Sequence, residues 1–236
     1  MAKAALIDLD GTLLPMDTPA FMRAFVTHIG EYCAAELGMD ATALSELIWH
    51  ATAGILAEKN PHASNADVFW ARFEAHCRLP RGAAETIFAR YYQGHFSVLA
   101  EKCSLQPLAQ DLLRMLKERG YVLAVATNPI FPRVALEERL RWAGLSPGDF
   151  SYISDYHNSH SAKPNESYYE EILHALRADA RQSVMIGNDA TDDIIPARRL
   201  GMRCYFVTDY GMKARKCPKH VARGDFAMLL NWVRSL

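Results

Sequence analysis

The chain has 236 residues, 50% hydrophobic and 22% charged, with a formal net charge of −1, enough for one large domain or a core carrying a smaller insertion. Neither sign of charge forms a long run. Lys213, Arg215, Lys216 and Lys219 make only a short basic cluster, which excludes the basic stripe of a nucleic-acid or membrane-surface protein. No stretch reaches transmembrane length, and the apolar start before Asp8 is too short for a signal peptide. The five cysteines (Cys33, Cys77, Cys103, Cys204 and Cys217) are scattered with no CxxC pair, so reduced thiols in a cytoplasmic protein are expected.

In chain order, the first element is the apolar run Ala4–Asp8, whose near-continuous character suits a strand buried on both faces of a parallel sheet. From Pro15 to about Cys103 no strand pattern occurs. Apolar residues recur instead at helical spacing, as in Phe21, Phe25 and Ile29, then Leu44, Leu47, Ile48 and Ile55, then Phe69, Phe73 and Cys77. Breaks at Gly30, Gly38, Pro61 and Leu79 to Gly82 leave room for about four helices. A connection of this length is a domain, not a loop, so residues 15–104 are expected to form a helical insertion in a core of 1–14 and 105–236.

Past the insertion the pattern alternates. Helix Pro107–Arg119, stopped by Gly120, precedes strand Val122–Thr127 and helix Pro132–Ala143. A weaker strand, Tyr152–Ser154, leads to helix Glu166–Arg177, strand Val184–Gly187, helix Asp192–Leu200, strand Cys204–Val207 and helix Asp225–Val233. Such alternation implies right-handed βαβ units and a doubly wound parallel sheet.

Ligands of open α/β sheets sit beyond the carboxyl ends of the strands. There the first strand places Asp8, Asp10, Gly11 and Thr12, the second Thr127 and Asn128, the loop after the weak strand Lys163, and the next strand Asn188, Asp189, Asp192 and Asp193. These residue types suit transfer of an anionic phosphoryl group. Carboxylates hold a hard divalent cation such as Mg²⁺, which offsets the repulsion between a phosphate and a carboxylate nucleophile. Asp8 would ligate the metal and attack phosphorus, and Asp10, swung by a turn at Gly11, would protonate the leaving oxygen. Thr127, Asn128 and the compact charge of Lys163 would bind the equatorial oxygens.

Taken together, Asp8 to Thr12, Thr127, Lys163 and Gly187 to Asp193 resemble the four motifs of the haloacid dehalogenase (HAD) superfamily, in order and over the whole chain. The insertion after the first motif resembles that superfamily's C1-type cap, as in phosphoglycolate phosphatase-like members. The resemblance implies a Rossmann-like core, Mg²⁺, and a cap closing over a compact phosphorylated metabolite such as phosphoglycolate, a sugar phosphate or a nucleotide. The usual fourth motif begins Gly-Asp, whereas here Asn188 takes the place of the first acid. Metal ligation is therefore assigned to Asp8, Asp10, Asp189 and Asp193, with Asp192 competing for the last place and one of Asp192 and Asp193 capping the following helix.

His157 and His160 lie near Lys163, but Asp10 already supplies the acid–base group. Trp49, Trp70, Arg72, Phe73 and Arg133 are candidates for the substrate pocket, although aromatic residues at helical spacing usually form core. Asp10 argues against a dehalogenase, which needs no acid two residues on. A phosphonate hydrolase would need a cap lysine, a place Lys59 could take. A phosphosugar mutase and an inactive binding module of the same fold also compete with the phosphatase. Residues Pro15–Asp17 and Lys102–Leu105 are expected to hinge the cap.

Overall fold

A computed structural model describes residues 2–57 and 61–236. Among them, six strands form one parallel sheet: β1 (Lys3–Ile7), β2 (Tyr121–Val125), β3 (Tyr152–Ile153), β4 (Val184–Gly187), β5 (Arg203–Val207) and β6 (Ala222–Gly224), in spatial order β3-β2-β1-β4-β5-β6. That is the doubly wound order, in which the crossovers run to opposite sides from β1 and leave a crevice at the strand ends. Ile7 lies level with Val125 of β2 and Ile186 of β4. Asp8, Ala126 and Gly187 therefore leave the sheet side by side. The sixth strand was not expected from sequence.

Side chains of β1 alternate between two apolar layers. Ala5 and Ile7 join the layer with α5 (Ala109–Glu118), α6 (Arg133–Trp142) and α9 (Phe226–Arg234). Ala4 and Leu6 join the other, with α7 (Glu166–Ala175) and α8 (Ile195–Arg199). Full burial of such side chains contributes about 1.5–3 kcal/mol each. Four of the five cysteines are buried and all are free thiols. No helix of the described residues is long and apolar enough to cross a membrane.

The inserted segment folds into α1 (Thr18–Leu37), α2 (Ala41–Ala57), α3 (Asn65–Glu74) and α4 (Arg81–Gly94), followed by a 3₁₀ turn, Phe96–Lys102. Asp17 caps α1 by accepting from the Ala20 amide, and Ser64 with Asp67 forms a reciprocal capping box on α3. The two chain crossings into the core pair with each other: Met16 bridges Cys103, and the Ser104 amide donates to the Pro15 carbonyl at 2.9 Å. These crossings coincide with the expected hinge positions.

The cap is also fastened at its far side. Asn65 donates through its backbone to Ser159 (2.8 Å) and through its side chain to the carbonyls of Pro129 (3.2 Å) and Ser161 (3.1 Å). The rings of Phe25 of the cap and Phe131 of the core lie tilted at 58° with centroids 4.8 Å apart, and cap and core residues share one apolar cluster. Any cap motion must therefore break apolar contact as well as rotate the crossings.

Candidate active site

After β1 the chain turns back on itself, with Leu14 donating to Leu9 and Gly11 donating to Leu14, both at 2.8 Å. Gly11 has φ +83°, and a Cβ there would lie 2.3 Å from the Asn188 side chain. Only glycine allows both the left-handed backbone and that approach. At the end of β4, a Cβ on Gly187 would lie 2.3 Å from a carboxylate oxygen of Asp193. The bare strand end is what lets Asp193 fold back toward Asp8.

These turns enclose a cavity of about 90 Å³ lined by Asp8, Asp10, Thr127, Asn128, Lys163, Asn188, Asp189 and Asp193, with Thr18, Asp192 and Met212. The structure thus brings Asp8, Asp10, Thr127, Asn128, Lys163, Asp189 and Asp193 to one place. At its centre Lys163 Nζ, buried, bridges Asp8 Oδ1 (2.8 Å) and Asp193 Oδ1 (2.5 Å). The Thr12 hydroxyl lies 3.0 Å from Asp8 Oδ2 and 3.3 Å from Asn188 Oδ1. Asn128 supports this arrangement, its Oδ1 accepting from the Lys163 amide at 3.1 Å. The Thr127 carbonyl is held by the Tyr168 hydroxyl (2.6 Å) and the Ser154 hydroxyl (3.0 Å).

The electrostatics follow from burial. Loss of water pushes the Asp8 carboxyl from 3.8 up to about 7; Lys163 opposes the rise, and Asp193 and Asp10 add to it. Burial also raises Asp193 against the pull of Lys163. For Lys163, burial alone would favour loss of the proton, but Asp193 and Asp8 outweigh it and hold the ammonium well above its ordinary value. One lysine thus faces two buried carboxyls.

The fourth segment departs from the helix expected over Asp192–Leu200. A π-turn covers Ala190–Ile194, and the α-helix begins only at Ile195, with Pro196 in its first turn. The cap is Asp189, whose Oδ1 accepts from the amides of Thr191 (2.7 Å) and Asp192 (3.0 Å). Neither Asp192 nor Asp193 takes that role, a correction to the sequence expectation. Asp193 faces inward to Lys163, whereas Asp192 lies 3.2 Å from Lys213. Burial acts to raise the Asp189 carboxyl, but Lys213, 2.9 Å away, and the amide donors hold it below the usual range.

Arg139 was not anticipated. It is fully buried on α6, and its Nη1 donates to both oxygens of Asp10, at 2.9 and 2.7 Å. Its guanidinium sits 4.2 Å over the Phe131 ring. A signal existed: Arg139 interrupts the buried stripe Ala135, Leu136 and Leu140, and a charge on an apolar stripe needs a partner.

Among the weaker candidates, Trp70 and Phe73 are core of the cap. Arg72 packs against Gly54, and Arg133 pairs with Glu137 outside the cavity. His157 is exposed beside Asp155, and the His160 amide binds Glu171. Lys59 lies outside the described residues. Trp49 lines a second cavity that adjoins Asp10.

The chain resembles known proteins. The chain is 31% identical over 216 residues to "Probable phosphatase IndB" of Dickeya dadantii (strain 3937), covering 88% of this chain and 82% of that protein. Its fold matches a 2-haloacid dehalogenase from Pseudomonas syringae pv. Tomato DC3000 with a TM-score of 0.63 at 20% identity, over 100% of this chain and 99% of that one. A HAD phosphatase from Thermococcus onnurineus matches with a TM-score of 0.60 at 20% identity, over 98% and 97% of the two chains. Residues 2–201 match the family of haloacid dehalogenase-like hydrolases, and the chain belongs to that family.

Proposed function

We propose that the protein is a Mg²⁺-dependent phosphatase that hydrolyses a small phosphorylated metabolite through a phosphoryl group carried on Asp8. The observation that carries this reading is the Lys163 bridge between Asp8 and Asp193, with Asp10 and Thr127 lining the same cavity. The 31% identity to a protein described as a phosphatase supports it.

The residues present fit Mg²⁺. Five carboxylates, of Asp8, Asp10, Asp189, Asp192 and Asp193, and the Asn188 amide oxygen line the cavity, and no histidine or cysteine does so among the described residues, an oxygen-rich set of the kind a hard cation takes. One lysine shared between the buried carboxyls of Asp8 and Asp193 leaves the charge imbalance that such an ion corrects. Among the described residues no three acidic, His or Cys side chains already converge as a cage; Lys163, Arg139 and Lys213 engage the carboxylates instead. Asp8, Asp10, Asp189 and Asp193 would hold the ion, and Asn188 Oδ1, on the Asp8 side of the cavity, is a further oxygen donor. When bound, the ion neutralises phosphate charge and keeps Asp8 ionised.

The chain's own residues then divide the chemistry. An Asp8 carboxylate oxygen forms a bond to phosphorus while the bond to the leaving oxygen breaks. Lys163 and Thr127 hold equatorial oxygens, where transition-state charge is spread. Asp10, oriented by Arg139, gives a proton to the leaving oxygen and takes one from the water that later attacks phosphorus. A dehalogenase would need no such group.

Phosphate release from a panel of phosphorylated metabolites, with Mg²⁺ and with chelator, tests the proposal. Release that requires Mg²⁺ and is lost in Asp8→Asn is the expected result. Undiminished release by Asp8→Asn, or none by the wild type from any ester, would overturn it.

A further inference from the structure

The cavity around Asp8 adjoins a second one of about 230 Å³ between cap and core, and Asp10, Thr18 and Asn128 line both. Asp10, the group placed to protonate the leaving oxygen, stands at the junction. An alcohol that takes its proton from Asp10 would lie at the mouth of the second cavity.

Its walls are apolar. Met22, Trp49 and Leu56 face it from the cap, Ile130 and Phe131 from the core. Apart from Asp10, no charged side chain lines it among the described residues, and Asp10 is itself engaged by Arg139. A carboxylate or second phosphate on the leaving group would enter beside a carboxylate and meet no cation among the described lining residues. Polar partners are few as well. The Thr52 hydroxyl already donates to the Ile48 carbonyl at 2.8 Å, and the Thr18 hydroxyl lies 3.4 Å from the Asp10 carbonyl. Asn128 and Asp10, at the junction, are the remaining polar lining groups among the described residues, so a polyhydroxylated sugar would lose more hydrogen bonds to water than it regained. Trp49 and Leu56 remain 52% and 42% exposed, large apolar surface at a cleft that a ligand would cover. For size, an apolar cavity of about 150 Å³ accommodates one benzene. The space here holds about one ring with a small substituent.

Resting on the phosphatase reading, we infer that the substrate is a phosphate monoester of a compact, uncharged, predominantly apolar alcohol of about one ring. This narrows the sequence expectation, which extended to phosphoglycolate, sugar phosphates and nucleotides.

Two readouts test it separately from the phosphatase reading. The first is kcat/KM with Mg²⁺ for benzyl phosphate, phosphoglycolate and glucose 6-phosphate, esters of alcohols with comparable leaving groups. The second is calorimetric binding, also with Mg²⁺, of benzylphosphonate and 3-phosphonopropionate, which cannot turn over. The expected result is benzyl phosphate preferred, and benzylphosphonate bound more tightly, by at least about tenfold. Trp49→Ala should remove most of that preference, and Ala53→Arg should shift it toward the carboxylated ligands. If the binding order holds but no ester is hydrolysed, the cavity assignment stands and the phosphatase reading falls. If 3-phosphonopropionate binds as tightly as benzylphosphonate, or phosphoglycolate is cleaved as well as benzyl phosphate, the inference is overturned.

Discussion

Asp8→Asn should make the metal-free protein more stable above neutral pH while abolishing turnover. Burial pushes the Asp8 carboxyl from 3.8 up to about 7, against the pull of Lys163. The unfolded chain ionises Asp8 near 3.8, so between about 4 and 7 the folded form holds a proton that the unfolded form has lost. Stability from this group is fully present below about 4 and is lost as pH rises through about 7. A carboxyl moved over that interval corresponds to about 4 kcal/mol. Local relaxation, and the sharing of Lys163 with Asp193, reduce the readable effect to roughly 2–4 kcal/mol, or roughly 5–15 °C for a chain of this size. Asparagine carries no such penalty. Thermal and urea unfolding in chelator should show the two proteins nearly superimposed at low pH. They should diverge above neutrality with Asp8→Asn the more stable, and Mg²⁺ should narrow the gap by stabilising the wild type. A variant less stable than wild type at pH 8 in chelator, or a gap indifferent to pH, would refute the reasoning.

Arg139→Met releases Asp10 from its anchor. Because misplacing a catalytic group costs up to roughly a hundredfold, kcat should fall by about ten- to a hundredfold with KM changing little; equal losses in both would point to a purely structural role. Lys213→Ala frees one oxygen of Asp189. A partly exposed pair of this kind is worth up to about 1 kcal/mol, so the Mg²⁺ needed for half-maximal activity should drop severalfold; an unchanged or higher requirement would contradict the ligand assignment. Asn65→Ala leaves the Pro129 and Ser161 carbonyls without their donor. It should cost about 1–3 kcal/mol and speed hydrogen exchange at the Ala66 amide, which donates to the Tyr156 carbonyl of the core at 2.7 Å, whereas unaltered exchange would mean that the cap is not fastened there.

Much of this architecture was legible because a doubly wound sheet writes itself into the chain. Strands buried on both faces read as near-continuous apolar runs, and Ala4–Asp8, Val122–Thr127 and Val184–Gly187 lie within a residue or two of β1, β2 and β4. β6 was not legible: it is a three-residue edge strand, Ala222–Gly224, with Arg223 at its centre and no apolar run. The helix expected from Asp192 was right in place but wrong in form. Asp189 caps three residues earlier, and the Ile194 amide reaches back to the Asp189 carbonyl, five residues away, opening a π-turn before Pro196.

At the site, strand ends announce which residues meet, so Asp8, Asp10, Thr127, Lys163 and Asp189 could be gathered in advance. Sequence does not say how they pair. Arg139 and Asp10 are 129 residues apart, and no local pattern links a helix arginine to a strand-end acid. Nor could spacing separate Trp49, which lines the second cavity, from Trp70 and Phe73, which fill the cap core. All three lie on amphipathic helices, and only packing decides which face meets the cleft.

The most direct test of the central claim is to trap the phosphoryl group on Asp8. Enzyme turning over a phosphate ester with Mg²⁺ is quenched in acid and reduced with borohydride, which converts an acyl phosphate on aspartate to homoserine, and the peptide spanning residue 8 is read by mass spectrometry. Homoserine is expected at position 8, dependent on substrate and Mg²⁺ and absent from Asp8→Asn. Steady hydrolysis with Asp8 never modified, or with the label on another residue, would contradict it.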